Sequence, residues 1–201
     1  GEQAETLLKS QFKQVPDGLN PVVQADSTTL VYLAGNIKRY LIIDQQQQLA
    51  TIVASFALPT YSSAIWRLLE ITEGFPYLES TDAEFVPQML NMQAINGISF
   101  TKGCYLGQET VARMQYLGKN KKTLFALTTS DCQPASELVV EKQLGDNWRK
   151  AGEVIASYIS NDGQCYLQAV LASDTDTQTN LRIKDQAQTS LAIIDLPYSL
   201  D

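Results

Sequence analysis

From Thr123 to Ile194 the chain is written in short strand-like runs separated by turn formers, a pattern that fits a small antiparallel structure. The runs are Thr123–Thr129, Glu137–Val140, Gly152–Ser160, Gln164–Leu171, Asn180–Lys184 and Ser190–Ile194. Asn161-Asp162-Gly163 is a hairpin turn signal between two of them. Together they predict a small C-terminal antiparallel β-barrel over 119–201, with the boundary near Gly118–Lys122.

Upstream the period changes. Ala4, Leu7, Leu8, Phe12 and Val15 recur at helical spacing until Pro16–Gly18 stop the pattern. The apolar runs Pro21–Gln24, Thr28–Leu33 and Arg39–Ile43 read as strands divided by turns. Asp44 is placed to cap a second helix carrying Leu49, Ile52, Val53 and Phe56, and Gln45–Gln48 is its solvated start. Helix, strands and helix in that order predict an α+β region over 1–118, an antiparallel sheet with helices. Trp66–Ile71 is an amphipathic run ended by Gly74-Phe75-Pro76, and helices are expected at Gln88–Ile95 and Gln108–Tyr116, the latter with Glu109 and Arg113 at i, i+4.

Composition narrows the chemistry. The chain has no histidine, so a Ser-His-Asp triad, a Cys-His pair and a His-ligated zinc site are excluded within it. A net charge of −7 argues against a broad nonspecific nucleic-acid surface. Apolar stretches such as Ile52–Leu58 are too short to cross a bilayer, and no signal-peptide pattern opens the chain, so it reads as cytoplasmic. Gly1 leading straight into a helix suggests a processed or truncated chain. Cys104, Cys132 and Cys165 are an odd, dispersed set without a CxxC pair, so reduced thiols are the default reading, with Cys165 as core filler and Cys132 in a polar loop.

The least ordinary stretch is Lys102-Gly103-Cys104-Tyr105-Leu106-Gly107-Gln108-Glu109. Two glycines flank a cysteine just before a helix, which lets the cysteine sit on a tight turn. The N-terminal dipole end of that helix and the Lys102 ammonium both favour thiolate. A buried, inert cysteine fits the same residues, and physics alone leaves the two readings open. Arg113, Lys119, Lys121 and Lys122 form a basic cluster nearby, read either as a solvated linker or as an attraction for a carboxylate or a phosphate.

This signature resembles that of the YgfZ family, folate-binding proteins of tRNA modification related to the glycine-cleavage T-protein. The likeness extends through Asn91–Phe100, Thr110–Lys122, Gly145-Asp146-Asn147-Trp148-Arg149 and the closing Leu196-Pro197-Tyr198-Ser199-Leu200. The family has a further N-terminal portion, so the resemblance implies that this chain begins partway through. It implies a three-lobed fold with a central cavity that binds tetrahydrofolate or a one-carbon derivative. It also implies support of iron–sulfur radical enzymes that methylthiolate adenosine in tRNA, and a link to the replication initiator DnaA. Reduced folate and those enzymes are the implied partners. Direct contact with tRNA stays open, and no membrane is implied.

Residue by residue, the resemblance makes Cys104 the central group, with Lys102 and Tyr105 beside it. It places Trp66 against folate, where an aromatic plate suits a pterin or aminobenzoyl ring. Arg113 joins the cofactor side, and Trp148 is read as structural. Where the family usually reads Glu-Ala-Gly-x-Pro, this chain has Thr72-Glu73-Gly74-Phe75-Pro76, so the pterin carboxylate could be Glu70 or Glu73. An accessory factor is the leading reading. The alternatives are a tetrahydrofolate-dependent aminomethyltransferase like the T-protein and a non-catalytic interaction module stabilised by folate.

Overall fold

The computed structural model describes residues 1–78, 84–103, 105, 107–116, 120–134 and 137–200. The chain divides into two compact units, Gly1–Tyr61 and Ser62–Asp201. The α+β class holds, with helices and antiparallel sheets in order along the chain. The boundary read near 118–122 falls inside the second unit.

The first unit opens with α1 (Glu2–Gln11), followed by β1 (Val22–Ala25), β2 (Thr28–Leu33) and β3 (Arg39–Ile43) and then α2 (Gln46–Phe56). The strands pair antiparallel in the order β1-β2-β3. Alternation in β2 buries Thr28 and Leu30 on one face. Asp44 does not cap α2, whose N-cap is Gln45 without a side-chain bond. Its carboxylate instead accepts from Ser27 and Thr28 hydroxyls and the Gln45 N–H, tying the end of β3 to the β1–β2 turn. The turn hydroxyls and the adjacent Gln45 amide take up the carboxylate, so it serves the turn and not the first helical amides.

The second unit starts with α3 (Ala64–Thr72), a 3-10 turn (Pro87–Leu90) and α4 (Gln108–Tyr116). The helix expected at Gln88–Ile95 is only that turn. Asn91 stands at φ +58 and Asn96 at φ +59, so the chain leaves helical geometry at once. Next come β4 (Lys122–Thr129), β5 (Val139–Leu144), β6 (Asn147–Ile159), β7 (Cys165–Ala172), β8 (Leu181–Ile183) and β9 (Ala192–Ile194). They form an antiparallel sheet in the order β8-β5-β6-β7-β4-β9. β6 is longer than its sequence signal, because Trp148–Lys150 continue the ladder with β5. Register shifts at Val140/Glu141 and Val154/Ala156 bend the sheet, and the Leu191 N–H donates to the Leu181 carbonyl, 3.0 Å away, joining its two ends. The barrel expected from the turn-punctuated runs is thus present as a curled sheet.

Leu127, Val140, Leu167, Leu171 and Ile183 fill its interior. Each such side chain contributes about 1.5–3 kcal/mol on leaving water. The other face is covered too: Leu90 of the 3-10 turn packs with Leu124, Ile155 and Val170, and α3 lies against β6 and β7. That explains the nearly continuous burial along β7.

The reading of three reduced, dispersed thiols is corrected here. Cys132 and Cys165 form a disulfide across 33 residues, and Cys132, in the loop after β4 as expected, is buried. The cause is register. Thr129 lies opposite Cys165 in the β4–β7 ladder, so the turn after β4 brings Cys132 to the same place.

Candidate functional site

The spacing of Trp66 and Glu70 puts both on one face of α3. The Trp66 Nε1–H donates to Glu70 Oε1 at 2.8 Å, so the aromatic plate and the carboxylate are joined. Both are half-buried. One hydrogen bond leaves the carboxylate with further acceptor capacity, enough for the paired N–H groups of a pterin edge.

The helix ends in a Schellman turn. The Phe75 N–H donates to the Glu70 carbonyl at 2.9 Å and the Gly74 N–H to the Ile71 carbonyl at 3.1 Å. Gly74 has φ +64, and a Cβ there would lie 2.6 Å from Leu196 Cδ2 and 2.7 Å from the Tyr198 hydroxyl, so only glycine fits. Glu73 caps this turn and is 4% exposed, in contrast to the half-buried Glu70. Glu70 is thus a half-buried carboxylate held by the tryptophan.

Gln168 of β7, fully buried, holds the turn from below. Its amide donates to the Glu70 carbonyl at 3.2 Å and the Phe75 carbonyl at 2.7 Å, and accepts from the Tyr77 N–H at 3.0 Å. From above, the Tyr198 hydroxyl donates to the Gly74 carbonyl at 2.6 Å. Asn91 donates in turn to the Tyr198 oxygen at 3.3 Å. Burial raises the Tyr198 pKa above the ordinary phenol value, and the Asn91 bond partly offsets this.

The signature segment is placed by its own contacts. Lys102 Nζ sits 4.5 Å from the centroid of the Tyr105 ring, a cation–π pair. The Lys102 N–H donates to Ser99 Oγ. Gly107 is at φ +86 and opens α4, with Gln108 N–H donating to the Tyr105 carbonyl at 3.1 Å. Gly103 has no positive φ, so of the two glycines only Gly107 uses the freedom expected of both. Phe100 meets Tyr116 edge-on at 6.3 Å, folding the segment back on the end of α4. Cys104 and Leu106 lie outside the described residues, as does Lys119 of the basic cluster. Glu109, Arg113, Lys121 and Lys122 are exposed. Trp148 stacks under Arg182, 4.2 Å from its ring centroid, while Arg182 pairs with Glu141 at 2.8 Å.

The structure therefore joins the anticipated residues in two pairs, Trp66 with Glu70 and Lys102 with Tyr105. Gln168, Gln88 and Asn91 were not singled out from sequence. The available signals were a glutamine inside the apolar run of β7 and two amides framing Met89–Leu90.

Residues 120–186 match the family model described as "YgfZ, beta-barrel domain". A protein of Colwellia psychrerythraea named "tRNA-modifying protein YgfZ" is 58% identical over 202 residues. Proteins of the same name from Yersinia enterocolitica and Yersinia pestis are 41% identical over 204 residues. Each match covers 100% of this chain and 62% of the relative, so the chain spans less than two thirds of the curated relatives it matches.

Proposed function

We propose that this chain, similar over its whole length to proteins named "tRNA-modifying protein YgfZ", belongs with them and serves tRNA modification as a folate-binding accessory protein. In this reading tetrahydrofolate, or a one-carbon derivative, lies against the Trp66 indole with Glu70 accepting from its pterin edge. Arg113 attracts the glutamate tail, and Glu73 shapes the turn behind the ring. The folate supplies a one-carbon carrier. Cys104 supplies the thiol, with Lys102 and Tyr105 as its neighbours in sequence. The partners are the iron–sulfur enzymes that methylthiolate adenosine in tRNA.

The observation that carries the reading is the Trp66–Glu70 hydrogen bond on a half-buried helix face. It offers an aromatic plate and an acceptor together, which is what a pterin needs. Titration of tetrahydrofolate into a Trp148→Phe protein tests it, because Trp66 is then the sole indole. Saturable quenching of Trp66 emission is expected. Glu70→Gln should weaken binding about tenfold or more, since a charged acceptor is replaced by a mixed amide. Unquenched emission at millimolar tetrahydrofolate would sink the ligand reading.

A further inference from the structure

The 3-10 turn at Pro87–Leu90 and the residue after it form the one buried junction that touches both flanks of the candidate site among the described contacts. Asn91 is fully buried and uses its whole amide. Nδ2 donates to the Leu124 carbonyl at 2.9 Å and to the Tyr198 oxygen, and Oδ1 accepts from Thr123 Oγ1 at 2.9 Å and the Leu124 N–H at 3.2 Å. Tyr198 passes this contact on to the Gly74 carbonyl at the end of α3. Three residues before Asn91, Gln88 donates from Nε2 to the Val111 carbonyl of α4 at 2.7 Å. The Gln88 main-chain carbonyl accepts from Asn120 Nδ2 at 2.8 Å. The Asn91 N–H donates to that same Gln88 carbonyl at 3.2 Å, so a polar relay runs from the end of the helix bearing Trp66 and Glu70, through Tyr198, Asn91 and Gln88, to α4, which begins inside the Lys102–Glu109 signature.

Apolar packing would hold these elements at lower cost and would let them slide. Directional hydrogen bonds in a low-dielectric interior fix one arrangement. We propose that Asn91 and Tyr198 are positioning residues that set the placement of the Trp66–Glu70 helix relative to the signature helix α4. Only the ligand consequence of this inference rests on the folate reading.

Tyr198→Phe in the full chain tests it, since it keeps the ring and removes only the hydroxyl. In a nitrogen-labelled sample, the Trp66 indole N–H and the Val111 amide should both shift, while the Trp148 indole, remote from the relay, stays put. Thr123→Val, which removes one donor to Asn91 and suits a strand, should move the same two signals and serves if Tyr198→Phe fails to fold. Tetrahydrofolate binding should weaken about threefold to tenfold, the worth of one net hydrogen bond. If the unfolding midpoint falls while both signals stay in place, the hydroxyl merely stabilises and the inference is overturned. If the signals move but the unmodified protein binds no tetrahydrofolate, the positioning role stands and the folate reading falls.

Discussion

Tyr198 and Gly74 lie 124 residues apart in sequence, yet the phenol hydroxyl donates to the glycine carbonyl at 2.6 Å. The same hydroxyl and Leu196 fill the space where a side chain on residue 74 would go. Gly74→Ala therefore has two faults, a left-handed φ and a clash. Together these should cost about 2–4 kcal/mol. Thermal unfolding should show a drop of roughly 5–15 °C for a chain of this size. An unchanged midpoint would mean that the closing segment does not sit on this turn.

Gln168 offers a second prediction about the same turn. Gln168→Leu conserves volume but leaves the Glu70 and Phe75 carbonyls and the Tyr77 N–H without their buried partner. The expected cost is about 2–4 kcal/mol. Limited proteolysis should then open the chain near 73–78. Protection equal to the unmodified protein would show that the amide is dispensable.

Tyr198 also gives stability a pH dependence of known sign. Its folded pKa is raised by burial, so the neutral phenol is the form the fold stabilises. The contribution is full below the unfolded value of about 10 and is lost as pH rises through the higher folded value. The stability gap between the unmodified protein and Tyr198→Phe should be level from neutral pH to about 10 and should close above it. A gap that widens in alkali contradicts the buried neutral phenol.

The Cys132–Cys165 link closes a loop of 33 residues. Loop-closure entropy assigns it roughly 3–4 kcal/mol. Peptide mapping without reductant should recover the two cysteines as one crosslinked pair, and reductant should lower the unfolding midpoint of the unit that contains them. Thiol titration of the denatured, unreduced chain should count two thiols fewer than after reduction, since the sequence has three cysteines. A count of three before reduction would leave the pair unlinked.

Much of this architecture was legible in the residues. Short strand-like runs and the Asn161-Asp162-Gly163 turn located the barrel strands, because strand composition and turn chemistry are local signals. Helix α4 was read to the residue from Gln108 to Tyr116. What escaped was set by distant partners. The disulfide depends on β4–β7 register, the Asp44 carboxylate is taken by the β1–β2 turn, and the chain leaves the 3-10 turn at Asn91 because that amide is consumed by β4 and Tyr198. In the candidate site Trp66 and Glu70 were each read as candidates from the resemblance, but their pairing on one helix face was not. Nor were the buried amides that hold the helix, since a lone glutamine or asparagine has no periodic signature.

The central claim is service in tRNA modification through Cys104. It is tested most directly in cells lacking their own family member, supplied with a full-length relative in which this chain replaces the matching segment. Methylthiolated adenosine in bulk tRNA would be measured by mass spectrometry, with and without Cys104→Ala and at matched expression. The account predicts restoration by the unmodified chain and loss of the modification with Cys104→Ala. Full restoration by Cys104→Ala would contradict it.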